Sequence, residues 1–176
     1  WVVGSGLAAV ETVLALRQRW PDRPLKLQAF LGHLPLALQR ACRLADVELV
    51  DGDDKKTSEE TTAVFGLLCT GSQAPAWLAK SGLICCPSSG RVRTAGDLQV
   101  LGQNNLFAAG DCAVLNANPR APSGVWAVRA AVPLARNLEA TVKGEPLKPW
   151  RPQRQALQLL GGFQNGKPTA WALLGS

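Results

Sequence analysis

Three groups of residues in this 176-residue chain have types and spacings that can do chemistry. The first is Gly4-x-Gly6-x-x-Ala9, which follows the apolar run Trp1-Val2-Val3 and precedes a stretch of helical periodicity. In such a turn the first glycine permits the tight bend and the second lets the backbone approach a diphosphate. The small third residue lets helix and strand pack closely. Backbone N–H groups along Ser5, Gly6, Leu7 and Ala8 then face the phosphates at the positive end of the helix. The second group is Gly110-Asp111, at the end of the apolar run Leu106–Ala109. A carboxylate there can accept hydrogen bonds from a polyol, and the glycine lets the chain turn toward a ligand. The third is the adjacent pair Cys85-Cys86, too close for an unstrained disulfide. It reads either as a redox pair or as incidental thiols.

The glycine loop departs from its usual pattern at one point. About twenty residues beyond such a loop a carboxylate normally holds the ribose hydroxyls of NAD. Gln28, Ala29 and Phe30 stand there instead, which leaves NADH against NADPH open. Arg40, Arg43 and His33 are either partners for a 2′-phosphate or ordinary surface charges. A module that has lost tight nucleotide binding is the other reading.

The elements that must position these residues follow from periodicity and punctuation. Residues 7–19 read as a helix closed by Arg17, Gln18 and Arg19, cations suited to its negative end. Pro21–Pro24 is a turn and Leu25–Leu31 a second strand, which completes a βαβ unit. Pro35–Ala45 reads as a helix, Val47–Val50 as a strand, Asp51–Glu60 as a solvated acidic turn and Thr61–Thr70 as a buried strand. A domain boundary falls at Ser72–Pro75, where composition shifts. Beyond it come a short helical turn (Ala76–Ser81) and a hairpin turn at Pro87–Gly90 leading into Arg91–Thr94. There follow a strand at Leu106–Ala109, a helix over Val125–Leu138, and a hairpin of Ala156–Gly161 with Thr169–Leu174 through Asn165-Gly166. The expected fold class is α/β: a Rossmann-like three-layer nicotinamide-binding module at 1–71, the C-terminal part of an FAD-binding lobe at 72–145, and a β-hairpin or interface element at 146–176.

Composition excludes several alternatives. Hydrophobic residues make up 47% and charged residues 18%, ordinary for a globular α/β protein. The net charge of +6 forms no basic stripe with interleaved aromatics, so no nucleic-acid partner is expected. No apolar run is long enough for a transmembrane segment. One histidine and an odd count of cysteines argue against a metal site or a histidine triad. Thiols without a disulfide pattern, and no signal peptide, point to the cytoplasm. The absent initiator methionine suggests a fragment of something longer.

The order of the motifs resembles the pyridine nucleotide-disulfide oxidoreductase superfamily, which includes type II NADH dehydrogenases and sulfide:quinone reductases. The second Rossmann module of that family opens on Gly-x-Gly-x-x-(Gly/Ala)-x-Glu, matched by Gly4, Gly6, Ala9 and Glu11. It ends on a Thr-Gly hinge, matched by Thr70 and Gly71, and the chain then reaches Ala-x-Gly-Asp, matched by Ala108, Gly110 and Asp111. The segments 74–83, 119–129 and 133–138 are similar to the NADH dehydrogenase-like domain fused to selenide, water dikinase in cyanobacteria. The resemblance implies FAD and NAD(P)H as cofactors, with Asp111 on the ribityl chain and Glu11 near the nicotinamide–flavin contact. It also implies that the helix start Gly124-Val125-Trp126 faces the flavin pyrimidine ring. Hydride would pass from NAD(P)H to flavin and on to an unknown electron acceptor, with a fused selenide, water dikinase domain as partner and a homodimer left open. The first, FAD-adenylate glycine loop of the family is missing, so the chain is expected to be inactive alone and to purify without tightly bound FAD. No residue stands out as an acid–base catalyst. A non-catalytic nucleotide-sensing or scaffold domain, and a thiol- or selenium-handling domain using Cys85-Cys86, are the competing readings.

Overall fold

The computed structural model describes residues 1–52 and 65–175. The chain forms two compact units, Trp1–Gly71 with Leu157–Gly175, and Ser72–Ala156. The C-terminal hairpin, read from the sequence as an element of its own, thus belongs with the first unit.

In the first unit β1 (Val2–Val3), β2 (Leu25–Ala29), β3 (Val47–Asp51) and β4 (Leu67–Leu68) form a parallel sheet in the order β3-β2-β1-β4. The helices α1 (Leu7–Arg19) and α2 (Leu36–Leu44) make the crossovers from β1 to β2 and from β2 to β3. α1 buries Ala9, Val10, Val13 and Leu14, a stripe at helical spacing. β2 buries Leu25, Leu27 and Ala29 with its intervening residues half-buried, so it is covered more on one face than the other. The pairing sets Val2 opposite both Leu27 and Leu67. Chain order therefore runs outward from β1 to β3 and then returns to β4 on the far side of β1. That reversal makes the end of β1 the switch point, where open α/β sheets hold ligands. The acidic residues Asp53 to Glu60, and Thr61–Val64 of the expected fourth strand, lie outside the described residues. The regular strand among those described is only Leu67–Leu68, at the sheet edge with both residues exposed, so the buried strand expected over Thr61–Thr70 is not seen there.

The hairpin joins β7 (Ala156–Gln164) to β8 (Lys167–Gly175). Asn165 and Gly166 take φ of 50° and 74°, the left-handed pair that a two-residue hairpin turn requires. Leu160 is 1% exposed within the core of the first unit, and Phe163, Trp171 and Leu173 pack on that core. Burial of this one face explains the register.

In the second unit α3 (Ala76–Lys80) contributes Leu78 to a small core with Val92 and Val100. β5 (Val92–Thr94) and β6 (Ala113–Leu115) pair in parallel, and α4 (Gly124–Lys143) follows. Two expectations change here. The run Leu106–Ala109 is not a regular strand; it makes one antiparallel bridge, Gln99 to Phe107. A 3₁₀ turn at Gly110–Cys112 then leads into β6, so the regular strand comes after Gly-Asp rather than before it. The helix also runs past Leu138, straight through Pro133, to Gly144 at φ 69°. Proline there gives up its own N–H bond and its ring crowds the carbonyl one turn back, a local cost the helix carries, while Gly144 provides the left-handed stop that ends it. Asn137, 1% exposed, fixes the helix both to the loop at Asp97 and to the segment that follows it. Its Nδ2 donates to Asp97 O and Lys148 O, and its Oδ1 accepts from Lys148 N.

Candidate functional site

At the end of β1 the chain turns with Gly4 at φ +151°, and Gly4 N donates to Gln28 O at 2.9 Å. A Cβ on Gly4 would lie 2.3 Å from Cys69 O and 3.1 Å from the Cβ of Ala9. Ala9 itself is fully buried. So Gly4 and Ala9 let β1, β4 and α1 converge, as the spacing implied. Gly6 behaves differently. It caps α1 with extended backbone and no side-chain cap, and nothing lies within 4 Å of where its Cβ would be. No side chain caps the start of α1, and the open space over Gly6 suits a diphosphate. This is the observation on which an NAD(P)H fit rests.

Around that turn Ser5 Oγ accepts from Phe30 N at 2.8 Å, which ties the loop to the end of β2. Leu7 is half-buried, and Ala8 and Glu11 are exposed on α1. Thr70 and Gly71 are exposed directly after β4, with Gly71 at φ +112°. At the end of β2, where a ribose-binding carboxylate would be expected, Gln28 Oε1 accepts from Trp1 Nε1, Ala29 is buried and Phe30 is 49% exposed. The Phe30 and His33 ring centroids lie 6.1 Å apart. Arg43 donates to Gln39 Oε1, which ties it to its own helix, and Arg40 is exposed.

In the second unit one cleft brings together residues far apart in sequence. Gly110, Ser123 and Trp126 line it with Arg120, over an apolar floor that includes Leu98 and Val114. Asp111 is exposed next to Gly110, and Gly124 and Val125 open α4. Trp126 N and Ala127 N both bond Ser123 O, and the Ser123 side chain makes no cap bond. Arg91, unmarked by any motif, is buried and donates to Asp111 O and to Ser72 O and Oγ. It therefore fastens the Gly-Asp turn to the start of this unit. Arg120 stacks on Trp126, 4.4 Å from the ring centroid, and its buried Nε has no acceptor. An orphaned cationic donor beside an open helix N-terminus suits a planar group with acceptors along its edge, as in the pyrimidine ring of a flavin.

The two adjacent cysteines differ. Cys85 packs against the small core, whereas Cys86 begins the turn closed by Gly90 N bonding Cys86 O. The Ser88 hydroxyl, 3.3 Å away, and then Ser89 and their backbone N–H groups pull the Cys86 thiol down from 9.0 to about 6. Burial pushes Cys42 up to about 11. Thiolate is the nucleophile, so Cys86 is expected to react with iodoacetamide first at pH 7.5, its rate rising through about pH 6. Mass-spectrometric mapping checks this, with Cys42 silent; equal labelling of all five thiols would refute it. Among the described residues no acidic, cysteine and histidine cluster could hold a metal, and no helix is long and apolar enough to cross a membrane.

No protein-family model and no curated protein sequence matches the chain. Solved structures do. A NAD-dependent persulfide reductase from A. fulgidus superposes with a TM-score of 0.65 at 19% identity, over 93% of this chain and 35% of that one. The sulfide:quinone oxidoreductase of Aquifex aeolicus superposes with a TM-score of 0.60 at 16% identity, over 99% of this chain and 53% of that one. The chain thus spans about a third and about half the length of these two structures. Both belong to the pyridine nucleotide-disulfide oxidoreductase superfamily. At these identities the likeness establishes the fold, a mixed α/β arrangement with a parallel sheet, shared with FAD/NAD-binding Rossmann-like oxidoreductases.

Proposed function

We propose that this chain supplies the nicotinamide-binding module and part of the flavin-binding lobe of an FAD-dependent NAD(P)H oxidoreductase. The observation that carries the reading is the open space over Gly6 at the start of α1, set at the switch point of a parallel sheet. Gly4, Ser5, Gly6, Leu7, Ala8 and Ala9 would hold the diphosphate through backbone N–H groups, and Glu11, Thr70 and Gly71 would border the nicotinamide side. Gly110 and Asp111 would hold a ribityl chain, with Gly124, Val125 and Trp126 at the pyrimidine edge. Hydride transfer from nicotinamide to flavin needs no protein acid or base, so these residues bind, orient and exclude water. The acceptor is a further partner, and the resemblance over residues 70–160 points to association with a selenide, water dikinase domain. Five free thiols suit a reducing cytoplasm.

Titration of the chain with NADH and NADPH by calorimetry tests the reading. Binding below millimolar is expected. Gly6→Leu should weaken it at least tenfold, because the new side chain fills the phosphate space. The same change should move stability by less than about 1 kcal/mol, since Gly6 is extended and its Cβ touches nothing. No heat with either nucleotide at millimolar concentration sinks the proposal. It would favour the second reading, a non-catalytic scaffold. That reading draws on the ribose position, where Gln28 is engaged by Trp1 and no carboxylate is offered.

A further inference from the structure

We infer that Arg120 supplies the positive charge at the pyrimidine edge of the flavin and makes the cleft of the second unit prefer the reduced, anionic form. This rests on the flavin reading above and goes beyond it, because that reading gives Arg120 no role. Three features converge on one residue. Its Nε is buried without an acceptor. A buried guanidinium N–H without an acceptor is costly, and a ligand atom that accepts from it removes the cost. Its Cζ lies 4.4 Å from the centroid of the Trp126 ring, and the Cζ of Arg129 lies 5.3 Å from the same centroid. Aromatic stacking of this kind fixes a guanidinium that would otherwise swing into solvent. Finally, Arg120 lines the cleft together with Gly110, Ser123 and Trp126, at the open start of α4.

The chemistry of the cleft limits what fits. Leu98, Val114, Ala127 and Ala130 offer apolar contact for a flat ring, and the polar groups are few. The second hollow of the unit shares Leu115, Asn118 and Trp150 with the first, so space continues along the same wall. A ligand satisfying Arg120 therefore has apolar faces and one edge of acceptors. A flavin has this form, and negative charge gathers on that edge when two electrons and one proton are added. A fixed cation beside it binds the anionic form more strongly than the neutral one.

The test is a fluorescence and absorbance titration of the whole chain with FAD, once oxidised and once reduced by dithionite under nitrogen. Wild type is expected to bind reduced FAD at least tenfold more tightly than oxidised FAD. Arg120→Gln should lose most of that ratio while still binding oxidised FAD, and Arg120→Lys, which keeps the charge, should recover much of it. If Arg120→Gln unfolds, the lysine variant and the wild-type ratio still decide the matter. A wild-type ratio near one, or an unchanged ratio in the glutamine variant, overturns the role of Arg120 alone. No FAD binding by wild type in either state overturns the flavin reading and this inference with it.

Discussion

Gly4→Ala is expected to destabilise the first unit by about 3–5 kcal/mol and to abolish dinucleotide binding, the largest effect of any single change in the loop. Two costs add. At φ +151° an L-residue is strained whatever the space around it. The new Cβ would also sit 2.3 Å from Cys69 O and 2.8 Å from Cys69 C, which are backbone atoms and cannot rotate away. Cys69 is itself pinned, since its N–H donates to Val3 O at 2.7 Å. Relief requires β4 to leave β1 or α1 to lift from the sheet, and either movement displaces the helix N-terminus that the proposed function sets against the phosphates. Urea unfolding followed by tryptophan fluorescence reads the first effect and NADH calorimetry the second. The contrast with Gly6→Leu is the sharper check: the fold requires Gly4, whereas the proposed function requires Gly6 for the ligand. A Gly4→Ala protein within 1 kcal/mol of wild type, or one that still binds NADH, would show that the turn is built differently.

Why β1, the glycine loop, α1 and β2 were legible in the sequence is clear from their physics. Each is fixed by local rules: a glycine where φ is positive, small Ala9 where backbones converge, and alternating burial along Leu25–Ala29. The hairpin turn was legible for the same reason, because Asn165 and Gly166 tolerate left-handed backbone. The misjudged elements depend on non-local partners. Pro133 and Leu138 suggest an early end to α4 by local propensity, yet the buried bonds of Asn137 and the stop at Gly144 carry the helix on. Leu106–Ala109 has the composition of a strand, but a strand needs neighbours along its length, and here one bridge forms. The motifs singled out Gly110 and the start of α4, and Gly110 and Trp126 line one cleft of the second unit. They assigned no role to Arg91 or to Arg120, whose surroundings depend on what their guanidinium groups meet rather than on spacing.

Arg17 makes the same point with a larger consequence. By spacing it is one of two cations in the last turn of α1, a place where surface arginines favour the helix dipole. It is instead 6% exposed and gathers four backbone carbonyls. Nε donates to Ala45 O at 2.8 Å, one Nη to Pro21 O at 2.6 Å and Arg23 O at 2.8 Å, and the other to Asp46 O at 2.7 Å. These carbonyls belong to the turns that end α1 and α2, and Asp46 is held at φ 51°. Ala45 caps α2, so its carbonyl stands at the negative end of that helix, and dipoles rather than a carboxylate balance the buried charge. Arg17→Leu would keep the apolar stem but leave carbonyls of both turns without donors. The expected loss is about 3–5 kcal/mol, a fall of roughly 10 °C in the lowest melting transition of the chain. Arg17→Lys should recover only a minor part, because one ammonium cannot reach both turns as a planar fork does. The glycine loop lies at the opposite end of α1, so the folded fraction of either variant should bind NADH with wild-type affinity. Melting within 2 °C of wild type would show that the turns hold their register without the guanidinium. A large fall in NADH affinity at temperatures where the protein is folded would show instead that Arg17 transmits its effect along α1 to the site.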